Sequence, residues 1–464
     1  MQNLKIWNYV SFPWLIFTLV FFIVFFFNAF FGESDTQFIS YNYLKNLFQN
    51  TFLLSIMSAI LSALIAVPLA ILVTFYKFPG HKFFSWSLSL SIAFPAYVYA
   101  FIFVGIFEYS SPLSEYLRSF DLYLPSIKNI YGASIIMSMA LFPYIFLITK
   151  AQLSSVGLNI FRAARSLGDS NIAAIRKVIL PSLRPTIIAG MALVIFETIS
   201  DFGGVSTLRI ETFTVGIYDA WFGYQSYLTA SKLAGFLLIF VFLIMFISKN
   251  FGIERRNVAF KTAEIFEKIE LKWFKQVIIS CICFLIFIII FCIPLFQLLI
   301  WQLSEMNISL LDNIKFLLNS LIIGSLVSIF TVFIAIGLSL SYRGSAKLRF
   351  LISISSSGYA IPGSVVSAGL LIGFYTLFGS SITLYGIYAL LLCLCFRFMT
   401  PAFNYISSSL TNISSSSEYS LSTQPRNYYR SFLYFYFPQM RPAIFLSVLI
   451  CLLYTSDAAD EYDR

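Results

Sequence analysis

Charge is scarce in this 464-residue chain: Asp, Glu, Lys and Arg make up 11% of it, against roughly 25% in a soluble globular protein. Histidine is nearly absent, His81 being the single one, so no paired-histidine or HExxH metal site can be built. Glycine is never followed by lysine, which excludes the G-x4-G-K-[ST] loop that cradles nucleotide phosphates. The six cysteines, Cys281, Cys283, Cys292, Cys393, Cys395 and Cys451, all lie in apolar runs. In a helix the i and i+2 side chains of the two C-x-C pairs diverge, so small buried hydrophobes are the reading preferred over soft-metal ligands. No cluster of residues suited to metal binding or catalysis stands out.

Apolar residues are abundant instead, at 59%, with a mean hydropathy of +0.85. Runs near 20 residues recur, the length at which a helix crosses a ~30 Å hydrocarbon core. The ~10-residue alternating segments of a transmembrane barrel are missing. The fold class is therefore an all-α polytopic membrane protein. Spans are expected at 10–31, 51–76, 83–107, 131–149, 186–199, 227–248, 276–301, 316–342, 350–377 and 383–403, with another starting at 443. The first apolar run is too long for a cleavable signal, and no small-residue cleavage pattern follows Phe31, so it is expected to stay as an anchor.

With the N-terminus and alternate loops placed in the cytoplasm, 22 of the 30 Lys and Arg fall on inner segments. The outer loops hold only Lys45, Arg118, Lys128 and Arg209. That asymmetry follows the positive-inside rule. It also accounts for the net charge of +9 without nucleic acid, since basic loops face anionic headgroups and partner proteins.

The chain reads as an internal duplication. Leu180-Pro-Ser-Leu-Arg-Pro185 recurs as Phe437-Pro-Gln-Met-Arg-Pro442, Asn50-Thr51 as Asn319-Ser320, and Phe94-Pro95-Ala96 as Ile361-Pro362-Gly363. Six spans per half make the halves parallel, an arrangement expected to pack about a pseudo-two-fold axis with a pathway between. The expected domains are an anchor and outer loop at 1–44, a first transmembrane domain at 45–249 and a basic cytoplasmic linker at 250–275. A seventh span with its outer loop at 276–314 and a second, incomplete transmembrane domain at 315–453 follow. The acidic stretch 454–464 interrupts the eleventh span where the repeat predicts apolar sequence and a twelfth span, and reads as a non-native tail.

One inner loop carries a specific pattern. In Phe161–Pro185, Ala163 and Ala164 are followed by Gly168 and then by Leu180-Pro181. The order and spacing resemble the EAA loop of binding-protein-dependent ABC transporter permeases, with Arg162 in place of the Glu and Val178 in place of the Ile. The resemblance implies a cytoplasmic helix-turn-helix that docks on a separate ATPase, with Ala163, Ala164, Gly168, Leu180 and Pro181 as the coupling residues. The second copy has drifted: Ser420 and Pro425 stand where Ala163 and Gly168 do, and only the Phe437-Pro438 end persists clearly. Asp201-Phe-Gly-Gly, Thr212–Gly223, Pro95–Ala100 and Ile361–Val366 are similar to the fused permeases of ferric-iron importers. What this resemblance implies is a type I importer fold in the inner membrane and two copies of an ABC ATPase. It also implies a periplasmic binding protein and no cofactor or metal bound by the chain itself, ATP acting through the partner. Thiamine, polyamine and inorganic-anion importers share much of the pattern.

Glu197 and Asp201 are the candidate pathway acids, since ionisable groups at membrane depth are rarely idle. They share a helical face if the helix continues; the alternative is a solvated position at the outer edge. Arg397, near the inner end of the tenth span, is expected to snorkel. A secondary transporter or a membrane-embedded enzyme are the competing functions. The first needs intramembrane acids or sodium-binding broken helices near mid-bilayer, for which only Glu197 is a candidate, and the second a catalytic cluster.

Overall fold

The structure is a computed structural model, and it describes residues 7–31, 40–154, 158–250, 268–304, 310–378, 382–411, 413–414, 416–417 and 428–460. In chain order the helices are α1 (Trp7–Phe31), α2 (Tyr41–Phe75), α3 (His81–Ser87), α4 (Ala96–Phe107), α5 (Pro112–Arg118) and α6 (Ile130–Gln152). There follow α7 (Leu158–Ser166), α8 (Asn171–Ala174), α9 (Leu180–Ser200), α10 (Gly203–Thr207), α11 (Phe213–Tyr218) and α12 (Tyr227–Asn250). The later part holds α13 (Trp273–Phe287), α14 (Ile293–Ser304), α15 (Leu310–Gly344), α16 (Arg349–Ser355), α17 (Gly363–Phe378), α18 (Ile382–Thr411) and a last long helix, Phe437–Asp460. Among the described residues, nine helical stretches are long and apolar enough to cross a membrane. The protein is an all-α polytopic membrane protein.

Two compact units divide the chain, one of Gln37–Gly216 with Ile239–Met306, the other of Met1–Thr36, Ile217–Leu238 and Asn307–Arg464. In the first unit α2, α6 and α9 form the central packing, with α4, α13 and α14 against it. Its core includes Leu69, Tyr99, Met137, Phe142 and Phe146. In the second unit α15, α18 and the helix Phe437–Asp460 pack together and α1 lies against α15 and α17. Ser11 and Ser341 share a buried 2.7 Å hydrogen bond there, a polar contact between α1 and α15. Each unit thus holds sequence from the other part of the chain: α13 and α14 in the first, and α1 with Ile217–Leu238 in the second.

Two expected spans are broken. The segment 83–107 becomes α3, a 3-10 turn at Leu90–Ala93 and then α4. The segment 350–377 becomes α16, a 3-10 turn at Gly358–Ala360 and then α17. The cause is the proline. A residue before proline is driven out of the helical region, and Phe94 (φ −102°, ψ 119°) and Ile361 (φ −98°, ψ 126°) take nearly the same extended conformation. At the second break a Cβ on Gly358 would overlap the Phe396 carbonyl oxygen, so the backbone approach requires glycine.

Proline also explains three of the π turns, though not Asp219–Gly223, which no proline follows. Ile175–Ile179, Ile288–Cys292 and Phe432–Tyr436 each end two residues before a proline, Pro181, Pro294 and Pro438. In each the residue before the proline donates its N–H five residues back, Leu180 to Ile175, Ile293 to Ile288 and Phe437 to Phe432. Widening the turn relieves the clash between the ring and the preceding carbonyls. A donor is still lost: an N–H at position 294 would bond Ile290 in an α-helix. The buried Tyr99 hydroxyl fills that place, donating to the Ile290 carbonyl at 2.6 Å.

The pairing has a measurable consequence. Tyr99→Phe is expected to destabilise the solubilised protein by about 1 kcal/mol, the scale of buried hydrogen bonds in membrane proteins. In a Pro294→Ala background the loss shrinks, because the backbone then supplies its own donor. A double-mutant cycle on unfolding in mixed micelles measures the coupling.

Candidate coupling loop and outer loop

The loop after α6 is built on alternating faces. On α7, Phe161 (2% exposed) and Ala164 (4%) point inward, and the Phe161 ring packs on Phe75 at 5.2 Å. Arg162, Ala163, Arg165 and Ser166 face outward. The two alanines of the motif are therefore divided, Ala164 against the core and Ala163 at the surface.

Gly168 ends α7. The Asp169 N–H reaches the Ala164 carbonyl at 3.2 Å and the Gly168 N–H reaches Arg165 at 3.1 Å. This pair of bonds is the Schellman closure, which requires a left-handed residue, and Gly168 has φ +95°. Arg165 donates to the Asp169 carbonyl at 2.6 Å, and Ser170 caps α8 by accepting from Ala173 N–H at 3.2 Å. The chain then passes through the Ile175–Ile179 π turn into Leu180-Pro181, with Ile179 and Leu183 buried. On either side of the turn two large apolar side chains stand exposed, Leu167 at 87% and Ile172 at 70%. Around them are Arg162, Arg165, Arg176 and Lys177.

Of the second copy, Ser420 and Pro425 lie outside the described residues. Pro438 is exposed and follows its own π turn, so this part has the same local geometry as Pro181.

The acids Glu197 and Asp201 stand at the end of α9. The helix stops at Ser200, and Asp201 is extended (φ −71°, ψ 129°), so the shared helical face does not continue to it. Asp201 Oδ2 accepts the Val205 N–H at 3.0 Å, capping α10, and its carbonyl accepts from Thr214 at 2.8 Å. Thr51 accepts the Phe213 N–H at 3.1 Å, and Asn50 donates to the Glu211 carbonyl at 3.0 Å. Asn50-Thr51, a landmark of the sequence repeat, thus pins this outer loop. Sequence reasoning missed that role; the polar pair at the start of an apolar run was the available signal. Arg397 lies against Gly363, at the start of α17. The six cysteines are free thiols.

Residues 66–252, which hold this loop, match the family described as binding-protein-dependent transport system inner membrane component. The chain is similar to the sulfate transport system permease protein CysT of Salmonella typhimurium, 29% identical over 140 residues, 30% of this chain and 49% of CysT. It is also similar to the Fe(3+)-transport system permease protein FbpB 2 of Haemophilus influenzae, 27% identical over 177 residues, 38% of this chain and 32% of that protein. A third relative is the putative 2-aminoethylphosphonate transport system permease protein PhnU of Salmonella typhimurium, 25% identical over 164 residues, 33% of this chain and 57% of PhnU. The chain spans about half or less of the length of the first two.

At Gly168 a Cβ would meet nothing within 4 Å, so any cost of substitution is conformational. Gly168→Ala is expected to weaken the turn by about 1 kcal/mol, while Gly168→Asn, which tolerates the left-handed region, loses less. Hydrogen exchange over residues 158–174 reads the difference as faster exchange at Asp169 in the alanine variant.

Proposed function

We propose that the chain is the membrane permease of an ATP-driven importer, and that Ala163, Ala164, Gly168, Leu180 and Pro181 shape the loop that couples it to a separate ABC ATPase. The observation that carries this reading is the Gly168 turn, a closed helix-turn-helix inside the family-matched stretch with exposed Leu167 and Ile172 at its tip. Apolar side chains ringed by basic ones on a loop outside the spans favour a protein cover. The positive charge of the loops on this side supports a cytoplasmic position for it and for the N-terminus, in an inner membrane. Two ATPase copies would meet the two loops, the second through Ser420, Pro425 and Pro438. Hydrolysis belongs to that partner, and the chain itself holds no ATP.

Substrate would arrive from a periplasmic binding protein. Ferric iron is the substrate we propose, on the sequence similarity to fused iron permeases and the FbpB 2 relative. An oxyanion is the second reading, favoured by the sulfate permease relatives. Radiolabelled iron and sulfate uptake by cells carrying the whole system separate the two.

Gly168→Val is expected to insert normally, lose most co-purifying ATPase and abolish uptake, and Ile172→Asp to do the same without touching the turn. A change at Pro425 should cost less. Wild-type uptake by Gly168→Val would remove the coupling role.

Asp201 offers a separate test of a pathway role. Asparagine keeps the oxygen that caps Val205, and alanine removes it. If the charge serves the pathway, Asp201→Asn lowers uptake as much as Asp201→Ala. If the cap is the whole role, Asp201→Asn transports normally while Asp201→Ala, short of a cap worth about 1 kcal/mol, is thermally weaker. Glu197→Gln lowers uptake if that charge serves the pathway and leaves uptake unchanged if it does not.

A further inference from the structure

A second basic feature lies apart from the coupling loop, where the turn after α2 meets the return of the linker. Tyr76–Lys77 and Ile269–Glu270 pair as a short parallel ladder, Tyr76 opposite Ile269 and Lys77 opposite Glu270. Lys268 donates to the Val73 carbonyl at 2.6 Å, taking one of the acceptors that the end of α2 leaves open. Ser280 on α13 donates to the Pro79 carbonyl at 2.8 Å. These ties hold open a cavity of about 400 Å³ lined by Lys77, Gly80, His81, Lys82 and Gln276, among others.

The electrostatics there are unbalanced. Lys77 is bridged to Glu270 at 2.7 Å, and this carboxylate is held below its usual range by Lys77. Lys82 and Lys268 add two further positive charges close enough to act on His81. Lys150, which donates to the Ser85 carbonyl, acts in turn on Lys268. Burial pushes the His81 imidazole below its usual range, and Lys268, Lys82 and Lys77 lower it further against the opposing hydrogen bond to Phe78. Like charges gathered at a cavity, with Glu270 the one carboxylate paired to them among the described residues, favour an anion.

The surroundings say which anion. The cavity sits where the apolar stretches Tyr41–Phe75 and Trp273–Ser304 reach their ends, at the edge of the hydrocarbon layer. Within four residues along the chain from its lining residues Lys82 and Gln276, Trp86 (55% exposed), Trp273 (75%) and Phe274 (69%) are exposed. Tryptophan at such a level belongs to the membrane interface, and basic pockets between spans take acidic headgroups. We propose that this cavity binds the phosphate headgroup of an anionic phospholipid, with its acyl chains lying along Trp86 and Trp273. Bound there, the lipid would fasten the linker to the end of α2.

His81 is the single histidine of the chain, so histidine labelling gives one imidazole resonance. The full-length protein, carrying a histidine-free affinity tag, is held in phosphocholine micelles and titrated with phosphatidylglycerol, phosphatidylcholine or inorganic phosphate. Phosphatidylglycerol is expected to saturate the His81 shift near one lipid per chain and to raise the imidazole pKa. Lys82→Gln with Lys268→Gln should weaken that binding roughly ten-fold. A shift that grows without saturating, an equal effect of phosphatidylcholine, or saturation by inorganic phosphate at the same concentration would each overturn the lipid site. The wild-type titration decides alone if the double variant fails to accumulate.

Discussion

Hydrocarbon offers no hydrogen bonds, so each backbone group that a proline leaves without a partner must find one inside the protein. Much of the described structure answers to that constraint. Pro95 and Pro362 sit where two spans break into a 3-10 turn and a second helix, and Pro181, Pro294 and Pro438 each follow a π turn. Tyr99 meets the same demand across elements, its hydroxyl standing in for the N–H that Pro294 lacks. A contact of that kind joins α4 to the stretch between α13 and α14, parts of the chain 191 residues apart.

The coupling loop uses the reverse strategy. Outside the spans, exposed carbonyls can turn to water, and the chain closes α7 with a Schellman turn at Gly168. Phe161 and Ala164 fix the loop to the core, which leaves Ala163, Leu167 and Ile172 as the side that faces out. The loop thus has a root packed into the core and an apolar tip. In this arrangement the π turn at Ile175–Ile179 is the joint between loop and α9.

The spans were legible because hydropathy at this strength leaves little else to read. The Gly168 turn was legible for a similar reason, since glycine between two short helical patterns has few other uses. Pro95 and Pro362 lie inside the expected spans 83–107 and 350–377; a kink and a full break have the same sequence sign, and neighbouring packing decides between them. Asp201 was legible only in part. Its charge at the end of an apolar run marks it as a pathway candidate; the bond from Val205 is a further contact that depends on where α9 stops. Lys268 and Glu270 were read only as charges in a linker. Their ties to Val73 and Lys77 join residues about 195 positions apart, and no local pattern encodes them.

The two parts of the sequence agree most where backbone physics is strict and least where a surface is free. Pro95 with Pro362 and Pro181 with Pro438 keep the same local conformation, because a proline dictates the dihedrals before it and the hydrogen bonds around it. Ala163 corresponds to Ser420 in that comparison and Gly168 to Pro425. A left-handed closure is available to glycine and closed to proline, whose φ is fixed near −65°. The φ of +95° by which Gly168 ends α7 is therefore closed to the residue that stands at its place in the second copy.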